Sequence, residues 1–110
     1  MGFVLLEQAG ADAVLAEVDV DPSEGRRGVG RLLVEAACER ADSLGHRRIV
    51  LSTFREVPWN APFYRRLGFV ELPETETTDA LRSLREDERD AGFDLARRLL
   101  MARTLGGDAA

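Results

Sequence analysis

The sequence predicts an α/β domain in which a helix crosses between two strands of one sheet. Three features carry that expectation. Apolar runs flank the turn Ala9-Gly10-Ala11-Asp12, apolar residues recur at helical spacing from Val29, and "IVLSTF" at 49–54 is a continuous apolar run rich in β-branched residues. A length of 110 residues suits one compact domain and is too short for two. Such a chain hides a smaller fraction of its surface than a larger one, so the core is modest.

The elements follow in order. Phe3 to Gln8 reads as a strand, and after the turn Val14, Ala16, Val18 and Val20 alternate with Leu15, Glu17 and Asp19, as in a second strand with one buried face. Pro22 cannot donate to a ladder, so this strand ends near Asp21. Leu32, Leu33, Ala36, Ala37, Ala41 and Leu44 mark one face of a helix from Val29, with Gly45 as its stop. The 49–54 run has the composition of a strand covered on both faces, and a helical crossover into it favours parallel pairing. Ligands of such sheets bind at the strands' C-terminal ends. Trp59 to Leu67 reads as a short helix closed by Gly68, and "FVEL" as a strand. A Thr/Asp cap opens a helix over "TDALRSLREDERDAG" that Gly92 ends, and Leu95 to Leu105 closes the sheet. The domain spans 1–105, and residues 106–110 form a disordered tail.

Composition excludes several classes. Hydrophobic residues make up 45% and charged residues 32%, as in a soluble globular protein, and the net charge of −5 argues against a nucleic-acid surface. Residues 71–94 hold nine acids against three arginines, which reads as a solvated helix face and would favour a cationic ligand. One cysteine cannot form an internal disulfide, so the expected compartment is the reducing cytoplasm. The N-terminal stretch has no basic region and no apolar run of spanning length, which predicts neither export nor membrane insertion. Cys38 reads as packing and His46 as a helix-end residue favoured by the dipole. No metal site is spelled out.

The stretch "EGRRGVGRLL" places glycines and arginines directly before a helix. Unpaired N–H groups and the helix dipole make such a loop an anion site, with Arg26, Arg27 and Arg31 adding charge-assisted hydrogen bonds to a pyrophosphate. The spacing is neither the dinucleotide G-x-G-x-x-G nor a Walker loop. On loop chemistry alone, a turn with solvent-facing arginines is an equal reading.

Taken together, "VDVDP", "GRRGVGRLLVEAA", "GHRRIVLSTF" and "WNAPFYRRLGFVE" resemble the GNAT superfamily of acyl-CoA-dependent N-acyltransferases, over residues 3–72. The resemblance implies the GNAT fold: an α/β, mixed, mostly antiparallel sheet with flanking helices. It implies acetyl-CoA as cosubstrate, with pantetheine along the main chain of Val18, Asp19 and Val20 and pyrophosphate on Arg26, Arg27, Gly28, Val29, Gly30 and Arg31. A main-chain N–H of the 18–20 segment would polarise the thioester carbonyl. Tyr64 would protonate the departing thiolate, and Asn60 would bond the cofactor arm or a water. Outside the resemblance, Tyr64 reads as a core aromatic beside Phe63 and Phe69. Glu17 is the candidate base, with Asp19 on the same strand face; solvent-facing roles fit both.

Two departures accompany the resemblance. Gly25 stands where the family has Gln or Arg, and the chain begins at the family's third strand, without the first two strands and helices that wall the amine pocket. An exposed sheet edge is then expected, covered by a second copy or a partner chain. The activity implied is transfer of acetyl from acetyl-CoA to a primary amine of a small molecule or peptide in a ternary complex. Its alternative is a CoA-binding or partner-binding remnant without catalysis.

Overall fold

The computed structural model describes residues 2–20, 29–56 and 60–106, of which 2–4, 16–20 and 29 are described by backbone alone. The order is β1 (Gly2–Ala9), β2 (Asp12–Val20), α1 (Val29–Ser43), β3 (Arg48–Phe54), α2 (Ala61–Arg66), β4 (Val70–Glu71), α3 (Asp79–Asp90) and β5 (Arg98–Thr104). The strands line up as β1-β2-β3-β5-β4. β1 and β2 pair antiparallel, as do β4 and β5, while β2 and β3 pair parallel. This is the mixed sheet expected. The chain forms two compact units, Met1–Val50 with Thr104–Ala110, and Leu51–Arg103. Among the described residues, no helix is long and apolar enough to cross a membrane.

In the first unit a tight turn joins β1 to β2, with Gly10 at φ 61. Leu6 faces Leu15 but Leu5 faces Glu17, so Ala16 is an extra residue in β2 and the ladder changes phase there. Simple alternation from Val14 to Val20 therefore does not hold across Ala16. Burial also departs from the one-face expectation: Asp12, Ala13, Val14 and Leu15 are all buried, as in a strand covered on both faces.

α1 packs on β1 and β2 through Val34, Ala37, Cys38 and Ala41, which are buried. Their i, i+3, i+4, i+7 spacing defines a narrow stripe of small side chains, which lets helix and sheet approach closely. The expected face is thus corrected: Leu32 is 70% exposed and Leu44 54% exposed. Leu32 and Ala36 lie on the opposite side of the helix from Val34, and Leu44 lies beyond the last turn. The helix stops as expected. His46 N–H donates to Ala41 O at 3.1 Å and Gly45 N–H to Asp42 O at 3.0 Å, a Schellman motif closed by Gly45 at φ 90.

Beyond that stop, His46 does more than meet the dipole. Its Nδ1 lies 3.1 Å from the Ala11 carbonyl, which can only accept, so Nδ1 carries the proton and donates to the β1–β2 turn. Arg48 then forks onto Asp12, Nε to Oδ1 at 2.8 Å and Nη2 to Oδ2 at 2.9 Å. This pair stands one residue before the parallel register Ala13↔Ile49, Val14↔Val50 and ties the two strands where that register begins.

In the second unit Leu99, Leu100, Met101 and Ala102 of β5 are buried in succession. β5 begins at Arg98 rather than Leu95, because Leu95–Arg97 form a 3₁₀ turn capped by Asp94, which accepts from Ala96 N–H at 3.0 Å. The "FVEL" strand is shorter than expected, Val70–Glu71, with Leu72 N–H still donating to Leu100 O. Thr78 caps α3 as expected, accepting from Leu81 N–H at 3.3 Å. α3 buries Leu81 completely and Ala80 and Leu84 in part. Arg98, on β5, pairs with Glu88 at 3.0 Å, and both side chains are 13% exposed. Its guanidinium sits 4.6 Å from the Phe54 ring centroid and 4.5 Å from that of Phe93, while Ser52 Oγ donates to Glu88 at 2.9 Å.

Removing the charge of Asp12 takes from the Arg48 guanidinium its two-oxygen partner in a largely buried place. Asp12→Asn is expected to cost about 2 kcal/mol in a urea titration, below the ~3–5 kcal/mol of a fully buried pair because some water reaches both groups. A cost under about 0.5 kcal/mol would show that the pair does not hold the strands.

Candidate active site

The sequence-predicted site residues fall in both units. In the first, Glu17, Val18, Asp19 and Val20 form the end of β2, with backbone partners Leu5, Val4, Phe3 and Gly2 on β1. They follow directly on the bulge at Ala16. Arg26, Arg27 and Gly28 lie outside the described residues. Val29 opens α1, Gly30 is half-buried, and Arg31 is exposed in the first turn, where no acidic residue offsets the helix's positive end.

In the second unit α2 is a six-residue helix whose main task is to place one side chain. Asn60 is its N-cap; its carbonyl accepts from Tyr64 N–H at 3.0 Å, and its side chain makes no cap hydrogen bond. Gly68, at φ 92, closes the helix: Gly68 N–H donates to Arg65 O at 3.1 Å and Phe69 N–H to Tyr64 O at 3.0 Å. In this Schellman motif the residue after the glycine packs on the residue five before it. Here that contact is Phe69 on Tyr64, rings 5.7 Å apart and edge-to-face. Phe63 abuts the same ring at 5.2 Å.

Tyr64 is thereby buried between two phenyl rings. Among the described residues, its hydroxyl has no hydrogen-bond partner. Burial disfavours the phenolate and raises the pKa above the ordinary 10.0, so the hydroxyl keeps its proton at any physiological pH. The ring sits as a core aromatic would, and the hydroxyl is not an enclosed orphan: among the described residues no buried side-chain oxygen lacks a partner.

Sequence reasoning did not single out a cleft of about 410 Å³ in the second unit, lined by Arg55, Arg82, Arg85, Glu71, Glu74 and Glu86 over buried leucines. The clue available was Arg55, the first residue past the C-terminal end of β3.

Residues 1–69 match the model of the acetyltransferase (GNAT) family. The chain belongs to that family. The end of β2, the glycine-rich loop, Asn60 and Tyr64 all fall within the matched residues. Among solved structures, nourseothricin acetyltransferase is 25% identical with a TM-score of 0.68, over 94% of this chain and 56% of its own. N-acetylglutamate synthase from Neisseria gonorrhoeae, solved with coenzyme A and N-acetyl-glutamate, is 21% identical with a TM-score of 0.73, over 93% of this chain and 22% of its own. The ribosomal-protein-S18-alanine N-acetyltransferase of Escherichia coli is 22% identical with a TM-score of 0.66, over 94% of this chain and 61% of its own. The GNAT chain described here thus spans less than two thirds of the length of each.

The raised phenol has a consequence for stability. Unfolded, Tyr64 ionises near ~10; folded, it ionises higher. Between those values the unfolded chain has lost a proton that the folded chain retains, so the contribution is complete below pH 10 and is lost as pH rises toward the folded value. The chain has one tyrosine and no lysine, so comparison with Tyr64→Phe isolates this effect. Urea titrations from pH 8 to 11 should show the native chain losing stability more steeply above pH 10 than the variant. Parallel curves would mean the phenol is not desolvated.

Proposed function

We propose that this GNAT chain transfers an acetyl group from acetyl-CoA to a primary amine, by direct attack in a ternary complex. The observation that carries the reading is Tyr64, whose ring is held between Phe63 and Phe69 and whose phenol keeps its proton, on a helix that ends at "LGF". Family membership supports the acetyltransferase class.

The features that would hold acetyl-CoA fit it chemically. Arg31 and an acid-free first turn favour an anion at the start of α1, and the glycine-rich segment before it supplies the room and N–H groups a pyrophosphate needs. At the end of β2 an antiparallel partner engages alternate main-chain groups of Glu17 to Val20, and the remaining ones are suited to a pantetheine amide and to the thioester oxygen. The bulge at Ala16 falls beyond the Val14↔Val50 pair and re-aims the strand there. Acetyl-CoA supplies an activated acyl carbon.

The chain's residues then manage protons. The amine must attack as the neutral base, so Glu17, or Asp19, takes its proton directly or through water. As the C–N bond forms and the C–S bond breaks, Tyr64 donates its hydroxyl proton to the leaving sulfur and is reprotonated from solvent. Because the phenol is a weaker acid than a thiol near ~8.5, that step is uphill by about 2 kcal/mol or more, a small part of an enzymatic barrier.

Two measurements test this. Calorimetry should show saturable acetyl-CoA binding that Gly28→Glu weakens at least tenfold; a folded chain that binds no acetyl-CoA would refute the reading. Tyr64→Phe should lower kcat by ~10²-fold or more while leaving acetyl-CoA affinity within twofold, as expected for a lost general acid. Unchanged kcat would remove Tyr64 from the chemistry.

A further inference from the structure

The cleft of the second unit has a volume of about 410 Å³, within the range of small-ligand sites. It begins at Arg55, beside the C-terminal end of β3, where open α/β sheets bind ligands. Its charges balance, three guanidinium groups against three carboxylates, so the acidity of residues 71–94 does not make it a cation site.

The cationic groups are unequally engaged. Arg82 is held at 2.7 Å by Asp79. Arg55, 42% exposed, directs both Nη1 and Nη2 at a single oxygen of Glu71, each at 3.4 Å. A guanidinium fork prefers two parallel hydrogen bonds to two oxygens at about 2.7–2.9 Å, so this contact is long and one-sided, and a free carboxylate would replace it with a better one. Arg85 commits one Nη1–H, at 3.3 Å, to the carbonyl of Arg98. Its other donors have no partner among the described residues. The carboxylates of Glu74 and Glu86 likewise have no ion-pair or hydrogen-bond partner among the described residues. The lining therefore offers spare donors, spare acceptors and an apolar floor, the complement of a small zwitterion.

We infer that this cleft binds a free α-amino acid whose carboxylate sits on Arg55 and Arg85. Glu74 and Glu86 attract the ammonium form in which the amino acid arrives.

Glycine, alanine, lysine and glutamate, each beside its α-carboxamide, discriminate the idea. The amide keeps the amine and removes the carboxylate, so it tests the arginines' partner alone. It also imitates a peptide N-terminus. Calorimetric titration into the chain, with and without coenzyme A, should show at least one free acid binding tenfold or more tightly than its amide.

Arg55→Gln and Arg85→Gln should each weaken binding of that acid about tenfold and leave the amide and acetyl-CoA unaffected. Arg55→Lys should recover part of the loss, which damage to the fold would not. Equal binding of acid and amide, no binding of any probe, or indifference to both arginine variants would overturn the inference. Failure of acetyl-CoA to bind refutes the acetyl-transfer reading separately, because the amino-acid titration without coenzyme A still reads the cleft.

Discussion

Each α-helix among the described residues ends on the same backbone constraint: a glycine in the left-handed region, at 45, 68 and 92, where a side chain would be strained. Each time, the next residue is drawn back by a hydrogen bond to the last helical turn. That residue then makes the decisive local contact. His46 reaches the β1–β2 turn, Phe69 seats the ring of Tyr64, and Phe93 covers the guanidinium of Arg98. The reversal therefore also aims the chain, with a precision that a flexible loop would not give.

Arginine supplies the second organising chemistry. With no lysine in the chain, every long cationic side chain carries a planar fork. Arg48 uses it in two parallel bonds to Asp12, and Arg98 donates to Glu88 and Ser52 while its charge lies over the rings of Phe54 and Phe93. An ammonium group could not meet these demands together, because it is a compact point charge without a planar fork of donors. Both clusters join residues distant in sequence, so they stabilise tertiary pairing rather than local turns.

Much of this was legible in the sequence. The dipeptides Leu-Gly and Ala-Gly gave the three helix stops, Thr78 gave the start of α3, and the crossover through α1 gave the parallel pair. What escaped has a physical reason in each case. The bulge at Ala16 is invisible because Val14, Leu15 and Ala16 are all apolar, so no polar residue marks where the phase changes. The face of α1 was misplaced because Leu32 and Leu44 are apolar yet turned outward, while the stripe that packs is made of small residues with weaker hydropathy. The surroundings of Arg98 come from positions 52, 54, 88 and 93, a convergence that only folding creates. Tyr64 could be singled out from its motif, but its unbonded hydroxyl could not, and Arg55 and Arg85 are two arginines among fifteen until the cleft brings them together.

The thin anchorage of α3 bears on how such a protein diversifies. A helix that fully buries one leucine, half-buries Ala80 and Leu84 and is tied to β5 through Glu88 and Arg85 leaves its exposed positions outside the folding problem. Substitutions along its outer surface cost little stability, so variation can accumulate there at nearly neutral cost. Since Arg82, Arg85 and Glu86 lie on this helix and line the cleft, drift in a structurally undemanding element supplies the raw material for new ligand preferences while the sheet stays unchanged.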